Sequence, residues 1–494
     1  MNQGFVCRNA HYNYVPTETA PGHASIYTGT TPAYHGIVGN QWFENGKTRY
    51  CVEDSTVSTV GSQSTAGARS PRNMIAPTFG DQLKLTTNGQ TRIYGVSLKD
   101  RGAILPAGHT ANGAFWYDGL SGKFVTSSYY YKEMPTWAQQ FNNRKPADQL
   151  LSGKWETLLP IAQYTESQAD DNAYEQLLPT KEKPVFPYDL KLISEKASSG
   201  QIKMPAYDVL SSTPFGNTLV NQFAQELITQ EKLGKALATD VLAVSFSSTD
   251  IVGHAFGPQS IEVEDTYLRL DKELEALLNH LDKEVGQGNY VLFLSADHGG
   301  VFTPKYLSKQ KLPSGYLQIK TYMNNLKAHL NKKYGEGDWI AHSGDKEVYL
   351  NRALIQSKDI ELEEVQETVA DFIRNCEGIF GAYTAANLEE EEYTQGIRHL
   401  VQNAFFYPRS ADVVITHRPG WLDEGWRRGG TSHGTGFNYD TQVPVLFYGW
   451  KIPQGKSTVR KVYITDIAAT LAMLLNIQLA DATTGEPIVE IFGN

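Results

Sequence analysis

Asp240-Val-Leu-Ala-Val-Ser-Phe246, followed at once by Ser247-Ser248-Thr249-Asp250-Ile251-Val252-Gly253-His254, decides how the rest of the chain is read. The first seven residues are an almost continuous apolar run, the pattern of a strand buried on both faces of a parallel sheet. Polar residues and a carboxylate arrive immediately beyond it. Asp250 and His254 are four apart, so one helical turn sets both on one face, as a two-ligand metal site needs. Taken alone, they serve equally well as a helix cap and a surface histidine.

The same grammar recurs downstream. Tyr290-Val-Leu-Phe-Leu294 is a second apolar run, and Ser295-Ala296-Asp297-His298-Gly299-Gly300 follows it. Gly429-Gly-Thr-Ser-His433-Gly-Thr-Gly436 precedes a third run, Val443-Pro-Val-Leu-Phe447. Helical periodicity covers 216–234, 260–284, 359–374 and 464–475. Further strands fall at 92–98, 347–350 and 412–416. Alternating strands and helices predict an α/β fold, an α/β/α sandwich whose central sheet is mostly parallel. Residues 119–215, rich in Tyr, Trp and Pro, and the polar stretch 301–345 read as inserted cap segments. The carboxyl ends of parallel strands are where open α/β folds build their sites, and Asp250, His254, Asp297 and His298 all stand there. Ligation by Asp and His suits zinc, with manganese or iron as alternatives.

Upstream, Asn13-Tyr-Val-Pro-Thr-Glu-Thr19-Ala-Pro-Gly-His-Ala-Ser leads into a short helix over 20–28. Thr19 sits where an N-cap threonine would, with proline in the first turn. A hydroxyl there also faces unpaired N–H groups and the positive end of the helix dipole, a place to attack and then hold a phosphoryl group. Lys99 and Arg101 follow the 92–98 strand two residues apart. In an extended segment they point the same way, a point charge and a planar fork suited to phosphoryl oxygens. Asn40 offers an amide donor for the same oxygens. His11, His23, His35, His109, His342 and His417 have no evident partner and read as structural.

Bulk properties narrow the function. The chain has 494 residues, 40% hydrophobic and 20% charged, with a formal net charge of −10. That sign excludes an ordinary nucleic-acid-binding surface but not a local anion site. No apolar run reaches 18 residues, so no membrane span is expected. Three cysteines, Cys7, Cys51 and Cys376, do not make a disulfide framework, although a Cys7–Cys51 bridge is open.

Together, Asn13 to Ser25, Gly39-Asn40, Ser97-Leu-Lys99-Asp-Arg101-Gly-Ala, Thr249-Asp250 with His254, Ala296-Asp297-His298-Gly-Gly and His433-Gly resemble the alkaline phosphatase superfamily. More narrowly, the chain resembles the bacterial phosphate-irrepressible alkaline phosphatases, which use threonine as nucleophile. The resemblance implies a two-zinc phosphomonoesterase acting on small phosphate monoesters through phosphothreonine at Thr19. It implies one zinc on Asp250, His254 and His433, a second on Asp297, His298 and Thr19, and phosphoryl contacts from Asn40, Lys99 and Arg101. It also implies a periplasmic or secreted protein, although the chain shows no export signal, and a first core strand ending in a ligating Asp, which would lie upstream of residue 1. Glu18 is a candidate stand-in for that Asp, although a side chain next to Thr19 normally points away. A nucleotide pyrophosphatase or phosphodiesterase is the alternative, with the aromatic stretch 114–131 stacking a base. A metal-deficient, non-catalytic homologue is the second. A sulfatase is disfavoured by threonine at the nucleophile position.

Overall fold

The computed structural model describes residues 3–493. The 240–246 run forms the strand Val241–Ser245, parallel to Ile93–Ser97, with Ser245 opposite Ser97. Ile93–Ser97 is parallel in turn to Gly113–Asp118, and an antiparallel hairpin through Lys123–Ser127 and then Thr59–Val60 completes five strands. The 290–294 run forms Val291–Leu294, the edge of a separate four-stranded sheet that continues through Val445–Gly449, Phe5–Cys7 and Lys456–Thr458. The α/β class therefore stands, but the sheets are mixed rather than mostly parallel. Val445–Gly449 is antiparallel to both its neighbours. It is entered from the loop that carries His433, so it runs away from the end toward which Val291–Leu294 runs.

Phe5-Val-Cys7 is an apolar strand ahead of Thr19 that the sequence reading did not mark. Its three residues pair with Phe447, Leu446 and Val445, and Phe5 is buried in a core with Phe447, Val462 and Ile467. Three residues are too few to register as a periodic run; pairing on both sides makes the strand. Cys7 and Cys51 are both buried, both free and in different core clusters, so no bridge forms.

The inserted segments also have different limits from those expected. Within 119–215, Lys123–Ser127 belongs to the five-stranded sheet, and Trp137, Phe141, Trp155 and Tyr188 share one core with Val96, Phe115 and Phe223. Phe124 and Phe223 stack with centroids 4.0 Å apart. Burying each such ring is worth ~1.5–3 kcal/mol, which makes the segment part of the main body. Conversely, Glu347–Leu350 and Val413–His417 leave the main sheets. With Ile340–Ser343 and Ile379–Thr384 they form a four-stranded antiparallel sheet with a core of its own. The helices Ile319–Tyr334 and Leu362–Arg374 cover it through Leu326, Leu330, Val365 and Val369.

Among the described residues, Val241–Ser245 and Val291–Leu294 each pair on one side only. Apart from buried Ala243, their residues are half-buried although most are apolar. The chain leaves both strands directly into the loops that build the site.

Candidate active site

Thr19 is the first residue of the helix Thr19–Thr28, and Glu18 is its N-cap residue, with no side-chain capping bond. This corrects the placement of Thr19 as the cap. The Thr19 side chain is buried and closes no turn of its own helix, while it keeps its place at the positive end of the dipole. Gly22 lets this helix approach the strand end at Asp297: a Cβ there would lie 2.6 Å from the Asp297 carbonyl oxygen. His23, one turn on, places Nδ1 2.9 Å from the Thr19 carbonyl and 3.5 Å from Asp297 Oδ2, with Nε2 3.0 Å from Ser245 Oγ. His23 thus ties the helix to both strand ends, a role its isolated position in the sequence did not signal.

Asp250 lies on the helix Ser248–Phe256, and the i,i+4 spacing does bring His254 Nε2 to 3.3 Å from its Oδ1. His298 Nε2 is 3.6 Å and His433 Nε2 3.8 Å from the same oxygen. Each ring offers its other nitrogen to a backbone carbonyl: His254 to Thr431 at 2.8 Å, His298 to Gly299 at 2.9 Å and His433 to Thr17 at 2.7 Å. A carbonyl only accepts, so in each neutral ring Nδ1 carries the proton and Nε2 presents a lone pair, the state a metal ligand needs. Burial is the main cause that pushes His433 well below the ordinary histidine pKa, with His298 adding to it. Burial opposes the charge on Asp250, but the Lys99 ammonium beside it holds its carboxyl well below the usual carboxylate range.

The donor set fits divalent ions. Ligand atoms of Asp250, His254 and His433 all lie within 4.8 Å of one another, and buried His298 Nε2 has no hydrogen-bond partner. Asp297 stands on the Thr19 side, 3.7 Å from His298 Nε2 through Oδ2.

Lys99 is the N-cap residue of the helix Asp100–Ala107, and Arg101 lies inside that helix. The two side chains therefore do not share one face of an extended segment, and of the pair it is Lys99 that contacts Thr19 and Asp250. Lys99 Nζ ion-pairs with Asp250 Oδ2 and lies 3.5 Å from Thr19 Oγ1. Arg101 Nη1 donates to the Tyr50 hydroxyl at 2.9 Å, and its buried Nε has no partner. Asn40 Oδ1 accepts from Ala20 N at 3.0 Å, which anchors its amide at the N-terminus of the Thr19 helix.

Two residues of the site were not singled out by sequence: His23, and Lys346, whose Nζ is 2.7 Å from Glu18 Oε1. Both oxygens of the Glu18 carboxylate are engaged, by Lys346 Nζ and by the Asn40 N–H, so Glu18 is not the stand-in ligand. The other unassigned histidines are structural: His35 bonds Ser25, His109 pairs with Asp81, and His417 bonds the Asp345 carbonyl. In the aromatic stretch, Phe115 and Trp116 are fully buried in two different cores, whereas Tyr129 is exposed with its hydroxyl on the His109 carbonyl.

A threonine at a helix start, a lysine and imidazole lone pairs converging on one carboxylate, all at α/β strand ends, define a metal-dependent hydrolase class. A family model described as type I phosphodiesterase / nucleotide pyrophosphatase matches residues 1–435, and the chain belongs to that family. Alkaline phosphatase PafA of Elizabethkingia meningoseptica is 42% identical over 496 residues, covering 100% of this chain and 89% of that protein. A crystal structure of wild-type PafA matches with a TM-score of 0.93, covering 100% of this chain and 93% of that one. Alkaline phosphatase PhoV of Synechococcus elongatus is 40% identical, covering 99% of this chain and 87% of that protein. A Myroides odoratus protein named calcium-transporting ATPase is 41% identical, covering 99% and 88% respectively.

Proposed function

We propose that this protein is a two-metal phosphomonoesterase that hydrolyses small phosphate monoesters through a phosphorylated Thr19. The observation that carries the reading is the Lys99 ammonium, which spans from the Thr19 hydroxyl to Asp250, the carboxylate on which three imidazoles converge. Asp250, His254 and His433 would hold one divalent ion, and Asp297 and His298 with Thr19 the other; zinc is the metal the mixed N/O donors favour. When bound, such ions lower the pKa of hydroxyl groups and neutralise charge on phosphoryl oxygens.

Thr19 Oγ attacks phosphorus; the phosphorus–oxygen bond to the leaving alcohol breaks, and the Thr19 proton ends on solvent or on that alcohol. Water then attacks the phosphorus of phosphothreonine; the bond from Thr19 Oγ to phosphorus breaks, a proton from that water returns to Thr19 Oγ, and inorganic phosphate is released. Lys99, Arg101 and the Asn40 amide supply donors for the non-bridging oxygens, fixed before the reaction so that no reorganisation is needed as charge shifts. Burial of Thr19 limits competing access of water to the attacking atom. A periplasmic or secreted location belongs to this reading by resemblance; no helix among the described residues is long and apolar enough to cross a membrane.

The expectation of one more core strand, bearing a further carboxylate ligand, remains part of the proposal. Its support is the pair of one-sided strands, Val241–Ser245 and Val291–Leu294, which are half-buried although mostly apolar and lead directly into the segments carrying Asp250 and Asp297. Unpaired edges inside a domain are normally covered or paired.

A monoester has one more anionic oxygen than a diester for cationic side chains to bind. Lys99→Ala and Arg101→Ala should therefore each lower kcat/KM for an aryl phosphate monoester ~10²-fold or more, and for the matching diester far less. Equal losses on both substrates would sink the monoesterase reading in favour of the nucleotide pyrophosphatase/phosphodiesterase one.

A further inference from the structure

The inserted four-stranded sheet reaches the site through one side chain. Lys346 sits in the turn between the strands Ile340–Ser343 and Glu347–Leu350, and its backbone carbonyl accepts from Ile415 N at 2.8 Å, which fixes the turn to the sheet. Its ammonium bonds Glu18 Oε1 at 2.7 Å, and the other oxygen of that carboxylate accepts from the Asn40 backbone N–H at 3.0 Å. Asn40 Oδ1 in turn accepts from Ala20 N. Asn40 is therefore held twice, by backbone through Glu18 and by side chain through the Thr19 helix, and its amide NH2 is left free to donate. On the other side, Lys346 passes against Gly434, where a Cβ would fall 2.5 Å from Nζ, next to His433. Glu18, Asn40 and Lys346 also border a cavity of about 260 Å³, so the tie edges open space rather than solid core.

We propose that Lys346 is a positioning residue: acting through Glu18, it fixes the Asn40 amide for the phosphoryl group, and so couples the inserted sheet to turnover. This rests on the role given to Asn40 above. The pair is a charge-assisted bond with both carboxylate oxygens engaged, and removing the ammonium leaves Glu18 free to turn and release Asn40.

A double-mutant cycle tests it on the full chain with metal bound, with metal content and thermal midpoint measured for every variant. Lys346→Met should lower kcat/KM for a phosphate monoester ~10-fold or more with midpoint and metal content close to wild type, and Asn40→Ala ~10²-fold. In the Asn40→Ala background, Lys346→Met should change kcat/KM less than ~2-fold, because the group it positions is gone. Glu18→Gln, which keeps the shape of the carboxylate without its charge, provides the same comparison if Lys346→Met folds poorly. A loss from Lys346→Met or Glu18→Gln that is the same with and without Asn40 overturns the proposal. No loss from Asn40→Ala alone refutes the role given to Asn40 instead, a different result from additivity.

Discussion

His298 and His433 lie ring on ring, with centroids 3.4 Å apart and planes 12° from parallel. Two imidazolium ions could not share that geometry, because like charges at this distance in a buried site repel strongly. Both rings point Nε2 toward Asp250 Oδ1. Both rings are therefore neutral imidazoles, the state that the metal ligation proposed above requires.

Chelation should therefore remove turnover and lower the thermal midpoint together, since bound metal stabilises the folded chain by mass action. Adding zinc back should restore both. The same titration on a form extended upstream should give tighter zinc retention if a further strand completes the sheet beside Val291–Leu294. Turnover that survives removal of all divalent metal would refute the metal-dependent reading.

Gly434→Ala should disturb the site without touching a ligand. Gly434 has a φ of +120°, strained for any residue with a Cβ, and the new methyl would meet Lys346 Nζ. The cost should be ~1–3 kcal/mol, read as a lower thermal midpoint, with turnover reduced because His433 precedes it. A variant with wild-type midpoint and turnover would show that this turn has slack the geometry denies.

Glu262 and Glu175 give the protein an alkaline weakness. Both carboxyls are buried, each with one oxygen lacking a partner, and Glu262 also takes the Tyr188 hydroxyl. Burial raises the pKa of both, and the negative charges of neighbouring acids, including Asp170, raise them further. A carboxyl whose folded pKa lies above its unfolded value favours folding while both states are protonated. That contribution fades as pH climbs from the ordinary carboxylate range through the raised folded value. Glu262→Gln keeps an acceptor for Tyr188 but carries no charge, so its midpoint should fall less than that of wild type between about pH 5 and 9. Parallel melting curves across that range would contradict the assignment.

What the sequence determined by itself was local. The apolar runs that became Val241–Ser245 and Val291–Leu294 declared strands because each is a short unbroken apolar run bounded by polar residues, although in the structure both are half-buried edge strands. The spacing of Asp250 and His254 declared a shared helix face because the helical period is fixed. Residue types at strand ends named nearly every side chain that the structure gathers. The tertiary structure decided what depends on partners. His433 meets Thr17 across 416 residues, and Lys346 meets Glu18 across 328. Phe5–Cys7 is a strand only because two neighbours pair with it, and Glu347–Leu350 belongs to the inserted sheet only because Val413–His417 lies beside it. Lys99 reaches Thr19 and Asp250 from a helix start, with Arg101 inside that helix, rather than from one face of a strand. Period and spacing are written along the chain, whereas strand pairing and the convergence of side chains are set by which surfaces bury each other.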